Sequence, residues 1–478
     1  MNYKLVFRMV GFTMMLEAVL MSLPVAVALI YRERSGIFFL PVMAAVFLAG
    51  FLLHRLKSKR EEMYAADGFA IVTFSWAILS LTGALPFYFS GQIPSFIDSF
   101  FETVSGFTTT GASVLANVEA LDKCMLFWRS FTHFIGGMGV LVFVLAIAKF
   151  SGGHSLHILR AESPGPTVEK IFPRMNSTAK MLYLIYIGLT TVQVILLCVF
   201  GMPFFDALLT SFGTAGTGGF AIKNAGIGAY SSACQTIITI FMFLFGMNFN
   251  FYFLLLVRKF KQAFLEEVRW YFAIFAAAAG IITINISQYF ETVWEGLHHA
   301  AFQTASIMSS TGFATADFNR WPDLSRYILV LLMFIGACAG STGGGFKVSR
   351  LIILLKSYLS EITGLVHSGN VKTIRLNGKK VENDTIRKTA MFFFGYIAVL
   401  TLSSALLCLD RFGLTENFTA SLSAISNIGP ALGIFGPMGN YEAFSPFSKS
   451  ILIFDMLLGR LEFFPIIILF HRKSWKHI

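Results

Sequence analysis

"SSTGFAT", Ser309 to Thr315, is small, hydroxylated and broken by glycine, yet the sequence on either side is apolar enough to lie in lipid. A backbone that leaves its helix within a bilayer has no water to bond to, so such a stretch must be buried in protein or line a water-filled cavity. The phrase returns, loosely spelled, as "TTTGAS" from Thr108, "AGTGGF" from Ala215 and "SNIGP" from Ser426. Each copy follows a short, mostly apolar segment such as "GLHHAAFQTASIM". A helix of about 13 residues reaches only about 20 Å, short of a hydrocarbon core about 30 Å thick. Such a segment enters the membrane and turns back.

Composition sets the same frame. Hydrophobic residues make up 55% of the 478 and charged residues 13%, where a soluble domain carries about a quarter charged. Mean hydropathy is +0.69. Ten apolar runs of spanning length lie near 8–30, 37–54, 69–90, 125–149, 180–202, 233–256, 268–287, 326–340, 388–408 and 448–470. Lys4 and Arg8 precede the first run, but no short apolar region with a small-residue cleavage site follows, so the first span is read as retained.

The net charge of +11 is concentrated at 54–60, 256–261, 347–388 and the C-terminal "HRKSWKHI". These are alternate inter-span segments, the pattern that places basic loops and both termini in the cytoplasm, and no basic domain with interleaved aromatics stands outside the apolar text. Cys124, Cys198, Cys234, Cys338 and Cys408 are scattered without a CxxC pair, which suggests neither a disulfide framework nor a metal site. Zinc spacings, a Walker loop and a dinucleotide fingerprint are absent from the sequence.

A spanning run lies before and after each glycine phrase, so the unit is span, re-entrant helix, glycine turn, span. Each unit crosses fully twice, and successive units therefore enter from the same side and can surround an axis along the membrane normal. Thr108–Gly111, Ala215–Gly218, Ser309–Gly312 and Ser426–Gly429 are then four strips able to turn carbonyls inward, with a dehydrated cation as their polar partner. The short helices would aim C-terminal ends, each with about half a negative charge, at the same axis. Small residues at a tight helix crossing would explain one such phrase, but not four in the same context.

These residues resemble the Trk/Ktr/HKT superfamily of potassium transporters, and its Trk-type membrane subunits most closely. The likeness is carried by "SGFTTTGAS" at 105–113, "GTGGFA" at 216–221, "SSTGFAT" at 309–315, "SNIGP" at 426–430, "IGGMG" at 135–139, "GSTGGGFK" at 340–347 and "GRLEFFP" at 459–465. It covers the chain from about residue 65 onward, and the two extra spans before that favour the Trk branch over the Ktr branch.

The resemblance implies an all-α polytopic membrane protein with four M1-P-M2 repeats in pseudo-fourfold arrangement. The expected divisions are 1–64 for an N-terminal hairpin, then 65–151, 152–262, 263–384 and 385–478 for the repeats. It also implies K+ uptake across a prokaryotic plasma (inner) membrane, a homodimer, and a cytosolic ring of TrkA-type nucleotide-binding (RCK/KTN) regulatory subunits. No covalent cofactor is expected, and Rb+ should pass nearly as well as K+.

Carried over position by position, the filter comprises Thr109, Thr110, Gly111, Gly216, Thr217, Gly218, Ser310, Thr311, Gly312, Asn427, Ile428 and Gly429. The fourth strip departs from the others in having Asn427 and Ile428.

The stretch Gly336–Lys347 holds glycine at 336, 340, 343, 344 and 345 inside an apolar run, and each costs a helix about 1 kcal/mol relative to alanine. The span should break there. Gly340, Ser341, Thr342, Gly343, Gly344 and Gly345 would form a loop below the filter, which the resemblance implies is an intramembrane gate. Arg460 lies within the last apolar run, where an arginine normally faces a cavity or a partner. It either projects beneath the filter as part of that gate or pairs with Glu462 or Asp455.

Asn248 and Asn250 either line the cavity or bond across helices. Arg129 and His133 read as interfacial or interhelical partners, His298 and His299 as solvated. The cytosolic segment 357–387, with a hairpin turn at "LNGK", is a candidate docking surface. The chief alternative is a Na+- or H+-coupled secondary transporter, which inverted repeats and several mid-membrane acids would favour. A membrane enzyme would need convergent acid, base or metal residues, and the chain reads as a non-enzyme.

Overall fold

A computed structural model describes residues 1–57, 64–150, 175–366 and 373–470 of the chain. The basic C-terminus at 471–478, the end of the 54–60 cluster, the boundary at 151/152 and part of the 357–387 segment lie outside the described residues. The architecture is almost wholly helical. Among the described residues the strands are a single two-residue pair, Arg375–Leu376 with Lys379–Lys380, closed by the left-handed Asn377 and Gly378 of the expected "LNGK" turn. Asn377 Oδ1 accepts from the Glu266 N–H (2.7 Å), which fixes the hairpin to the start of a spanning helix.

The N-terminal hairpin runs from Tyr3 to Tyr31 and back over Arg34–His54. Its helices touch at glycine: a Cβ on Gly11 would lie 2.5 Å from the Gly50 carbonyl oxygen, and one on Gly50 would lie 2.7 Å from that of Gly11. The hairpin is fastened to the next helix, Ala65–Phe89, at Thr82, whose hydroxyl donates to buried Glu17 Oε2 (2.6 Å).

From Ala65 onward one order of elements appears four times: a long helix, a short helix, a non-helical strip and a second helix. The long helices are Ala65–Phe89, Met175–Val199, Glu266–Ile286 and Asn383–Leu407. The short ones are Phe96–Phe107, Phe204–Gly216, Val293–Met308 and Leu414–Ser426. At 1.5 Å per residue none reaches the ~30 Å of a hydrocarbon core. Ser95 and Thr292 start the first and third, their hydroxyls accepting from the N–H groups of Asp98 and Glu295.

The second helices differ from one another. Lys123–Phe150 is continuous. Ser232–Phe245 and Phe249–Leu256 are turned by 92° about a break. Asp323–Ile335 stops at a loop and resumes as Val348–Val366. Pro446–Arg460 and Phe464–Phe470 are separated by left-handed Glu462 and Phe463.

Among the described residues, six helices are therefore long and apolar enough to cross a bilayer, or seven with the bent pair taken as one span. Ten apolar runs do not become ten unbroken helices, because the runs at 233–256, 326–340 and 448–470 are each interrupted. Arg460, expected within a span, is the last residue of its helix.

Candidate ion pathway

Each short helix ends in the same backbone device. The residue after the last turn or the one following it takes a left-handed conformation at Thr109, Thr217, Ser310 and Asn427, with φ of 55°, 55°, 58° and 53°. The next N–H, on Thr110, Gly218, Thr311 and Ile428, returns to the carbonyl five residues back, at Ser105, Gly213, Ser306 and Ser423. This is a Schellman-type stop. A left-handed L-residue costs about 1–2 kcal/mol, and here the chain accepts that cost four times. A glycine with positive φ then follows: Gly111, Gly219, Gly312 and Gly429.

These glycines meet in a ring. A Cβ on Gly111 would strike the carbonyl oxygen of Gly218, one on Gly219 that of Thr311, one on Gly312 that of Ile428, and one on Gly429 would lie 2.7 Å from that of Thr110. Strip one abuts two, two abuts three, three abuts four, and four returns to one. All four glycines line one cavity of about 230 Å³. The carbonyls of Thr110, Gly218, Thr311 and Ile428 accept no hydrogen bond from any described residue.

The ring corrects one assignment. In the second strip the glycine equivalent to Gly111, Gly312 and Gly429 is Gly219, not Gly218, so this strip runs from Gly216 to Gly219. Gly218 instead occupies the position of Thr110, Thr311 and Ile428. It is glycine for another reason: a Cβ there would enter the imidazole of His133, which stacks on Phe220 at 4.1 Å. A run of two glycines gave the sequence no means of choosing the register.

Strips one and three share a detail the others lack. Thr108 and Thr110 hydroxyls lie 2.8 Å apart, and those of Ser309 and Thr311 2.7 Å apart. In strip two both positions are glycine, and in strip four they are Ser426 and Ile428. Ser426 Oγ instead meets the Tyr396 hydroxyl (2.6 Å), and Asn427 Nδ2 donates across to Thr110 Oγ1 (2.9 Å).

Glycine also lets the second helices approach the base of the ring. A Cβ on Gly136 would strike the Phe107 carbonyl, and one on Gly459 the Ile425 carbonyl. This explains the "IGGMG" and "GRLEFFP" phrases. The break at 336–347 lies against strips three and four: the Gly344 N–H donates to Ser310 Oγ (2.5 Å), and a Cβ on Gly343 or Gly344 would meet the carbonyls of Ser309 or Ser426. Gly336, Gly340 and Gly345 have positive φ. Ser341 Oγ donates to the Cys338 carbonyl (2.7 Å), Lys347 Nζ to the Gly343 carbonyl, and Glu267 Oε1 accepts from the Ala339 N–H (2.6 Å).

Arg460 spans this region. Its Nη1 donates to the Thr342 carbonyl (2.9 Å) in the loop and to Thr109 Oγ1 (3.2 Å) in strip one, and its Nη2 donates to the Gly136 carbonyl (2.6 Å). The two acids considered as its partners are engaged elsewhere, Glu462 with Arg350 (2.5 Å) and Asp455 with Ser403 (2.7 Å) and Ser421 (3.1 Å).

The remaining polar residues fall into place around the ring. Asn248 caps Phe249–Leu256 at the bend through its side chain, and the Phe249 N–H donates to the Gly340 carbonyl (3.0 Å), so the bend carries the loop. His298 and His299 are half-buried rather than solvated. They pair with Gln235 Oε1 (2.7 Å) and Thr315 Oγ1 (2.9 Å). Arg129 forms a buried ion pair with Glu102 (2.6 Å).

Residues 35–477 match the family model described as TrkH, cation transport protein. The chain belongs to the TrkH family. It is 34% identical over 485 residues to the Trk system potassium uptake protein TrkH of Salmonella typhimurium, with 100% of both chains covered. It is 30% identical to the Trk system potassium uptake protein TrkG of Escherichia coli K12, with 99% of each covered. The crystal structure of the potassium transporter TrkH from Vibrio parahaemolyticus superposes with a TM-score of 0.90 at 31% identity, covering 100% of both chains. Membership agrees with a multi-pass membrane protein.

Two elements beside the ring had no signal in the sequence. Glu102 sits in the short helix 11 residues before Ser113, and Tyr441 lies in a loop of no evident pattern. Both are brought to the strips only by the tertiary fold.

Proposed function

We propose that the chain takes up K+ across the plasma membrane through a pore whose selectivity filter is the ring of four strips. The single observation that carries the reading is the closed cycle of strip contacts around the cavity shared by Gly111, Gly219, Gly312 and Gly429. Buried carbonyls need a partner, and those of Thr110, Gly218, Thr311 and Ile428 have none among the described residues. A dehydrated cation supplies it. The names of the relatives, potassium uptake proteins, support K+ as that cation.

In this reading the four element sets are M1-P-M2 repeats around a pseudo-fourfold axis, with the hairpin at 1–54 buttressing the first. The filter positions are Thr109, Thr110 and Gly111; Thr217, Gly218 and Gly219; Ser310, Thr311 and Gly312; and Asn427, Ile428 and Gly429. The loop from Gly340 to Gly345, with Arg460, is the gate. Its contact with strips three and four supports a block directly beneath the filter. Basic inter-span segments support a cytoplasmic position for both termini in a prokaryotic cell. There the hairpin at 375–380 offers a surface to a nucleotide-binding regulatory ring on a homodimer.

The test is uptake of radioactive Rb+ into liposomes containing purified protein and its regulatory partner, with K+ or Na+ competing, beside Gly312→Ser. The reading expects K+ to compete far better than Na+ in the wild type and the preference to fall in the variant. Folded wild type that takes up no Rb+ overturns it.

A further inference from the structure

Behind the ring, buried side chains link the outer ends of three strips. Arg129 Nη1 donates to the carbonyl of Ala221, two residues beyond Gly219 (2.8 Å), while its Nε pairs with Glu102 Oε1 (2.6 Å). The guanidinium lies 3.6 Å from the centroid of the Phe220 ring. Glu102 accepts from Ser113 Oγ (2.9 Å) at Oε1 and from the Val114 N–H (3.0 Å) at Oε2, just beyond Gly111. The Ser113 carbonyl accepts from the Tyr441 N–H (2.8 Å), and the Tyr441 hydroxyl donates to the carbonyl of Gly429 (2.7 Å). The third strip is held by Ser306 Oγ to the Phe313 carbonyl (2.5 Å) within its own unit and by the Ile227 N–H of the second unit to the Ala314 carbonyl (3.1 Å).

We infer that Arg129, Glu102 and Tyr441 are positioning residues that fix the outer mouth of the filter and thereby set its K+ over Na+ preference. This rests on the pore reading above. Each link ends on backbone at or within three residues of a ring glycine, so loosening it lets the ring contract toward the smaller ion. The strap is rigid: the Arg129 and Glu102 side chains are 3% and 0% exposed, and Tyr441 packs on Phe101, Phe435 and Phe444. Arg129 also borders the cavity, so Glu102 does more than hold backbone, since it neutralises a cation that would otherwise repel entering K+.

The Tyr441 link makes the ring unequal. Of the four ring-glycine carbonyls, that of Gly429 accepts a hydrogen bond from a described side chain, which weakens it as an ion ligand and fixes its direction. Tyr441→Phe removes that one donor and leaves the stacked ring in place.

The test is the ratio of K+ to Na+ concentrations that halve Rb+ uptake, which is independent of how much protein folds. Tyr441→Phe, Glu102→Gln and the double Glu102→Gln/Arg129→Gln should each lower the K+ preference about tenfold, the factor corresponding to ~1.4 kcal/mol. Glu102→Gln should also slow uptake of both ions, and the charge-balanced double variant should regain rate without regaining preference. Wild-type preference in both Tyr441→Phe and the double variant, with uptake intact, overturns the strap while leaving the pore reading standing. Wild type without any K+ preference overturns the pore reading and the strap with it.

Discussion

Replacing Arg460 separates two ways in which one side chain can close a pore. Among the described residues its guanidinium donates hydrogen bonds to strip one at Thr109, the Lys123–Phe150 helix at Gly136 and the loop at Thr342, and lies 5.6 Å from the Trp76 ring centroid. If opening moves the loop away, the bonds to Thr109 and Gly136 persist in both states and cancel from the equilibrium. The bond to the Thr342 carbonyl belongs to the closed state. A hydrogen bond to a charged group is worth about 1.5–3 kcal/mol, so Arg460→Ala should raise the open-to-closed ratio about 10- to 150-fold. Losing the charge lowers the barrier to cations as well. Arg460→Lys keeps a positive charge but lacks the planar fork needed to hold several acceptors. Rb+ uptake by the purified protein without the proposed regulatory partner is the assay. If the loop bond governs, both variants conduct more. If charge governs, only the alanine variant does. Wild-type uptake in both folded variants refutes the reasoning entirely.

The register of the second strip has its own test. Gly218→Ala collides with His133 and should regain uptake when combined with His133→Ala, whereas Gly219→Ala, at φ +75° and against the Thr311 carbonyl, should not; competition assays on the two double variants decide it. Lys449 and Asp98 form a largely buried pair at 2.6 Å that joins the Pro446–Arg460 helix to the first short one. Lys449→Met strands the carboxylate and should cost about 3 kcal/mol, read as a lower unfolding midpoint in detergent, and an unchanged midpoint removes the pair from the account of stability.

The glycine phrases made the ring legible because a backbone that leaves its helix in lipid is conspicuous in apolar text. The break at 336–347 was visible for a similar reason: closely spaced glycines cannot hold a helix. What stayed hidden depended on partners. Gly218 and Gly219 look alike until His133 is placed beside one of them. The break after Arg460 has no glycine run to mark it, since Glu462 and Phe463 adopt positive φ within apolar text. The bend at Asn248 follows from the Phe249 N–H bonding to Gly340, nearly a hundred positions away. The strap through Glu102, Ser113 and Tyr441 links separate units, which no local pattern records.

On the proposed reading, the inequality of the strips bears on how selective the filter should be. A filter built from four chemically identical strips can present full rings of equivalent carbonyls at several depths. Here strips one and three carry paired hydroxyls, strip two has glycine at both of those positions, and strip four is tied to its neighbours through Asn427 and Tyr441. Two levels present four carbonyls without a donor from the described residues, that of Thr109, Thr217, Ser310 and Asn427 and that of Thr110, Gly218, Thr311 and Ile428, whereas at the ring glycines Gly429 accepts from Tyr441. Two complete rings offer few places at which carbonyls can exchange for the hydration shell, so Rb+ should compete nearly as well as K+ and Na+ should be rejected less sharply than by a filter with more complete rings. The same asymmetry places the break: the loop bonds to the Ser310 hydroxyl, and strip two, with glycine at the positions beside Thr217, offers fewer such groups. On the proposed reading, a gating loop supplied by the third unit and tied to the fourth through Arg460 is the arrangement that these strips favour.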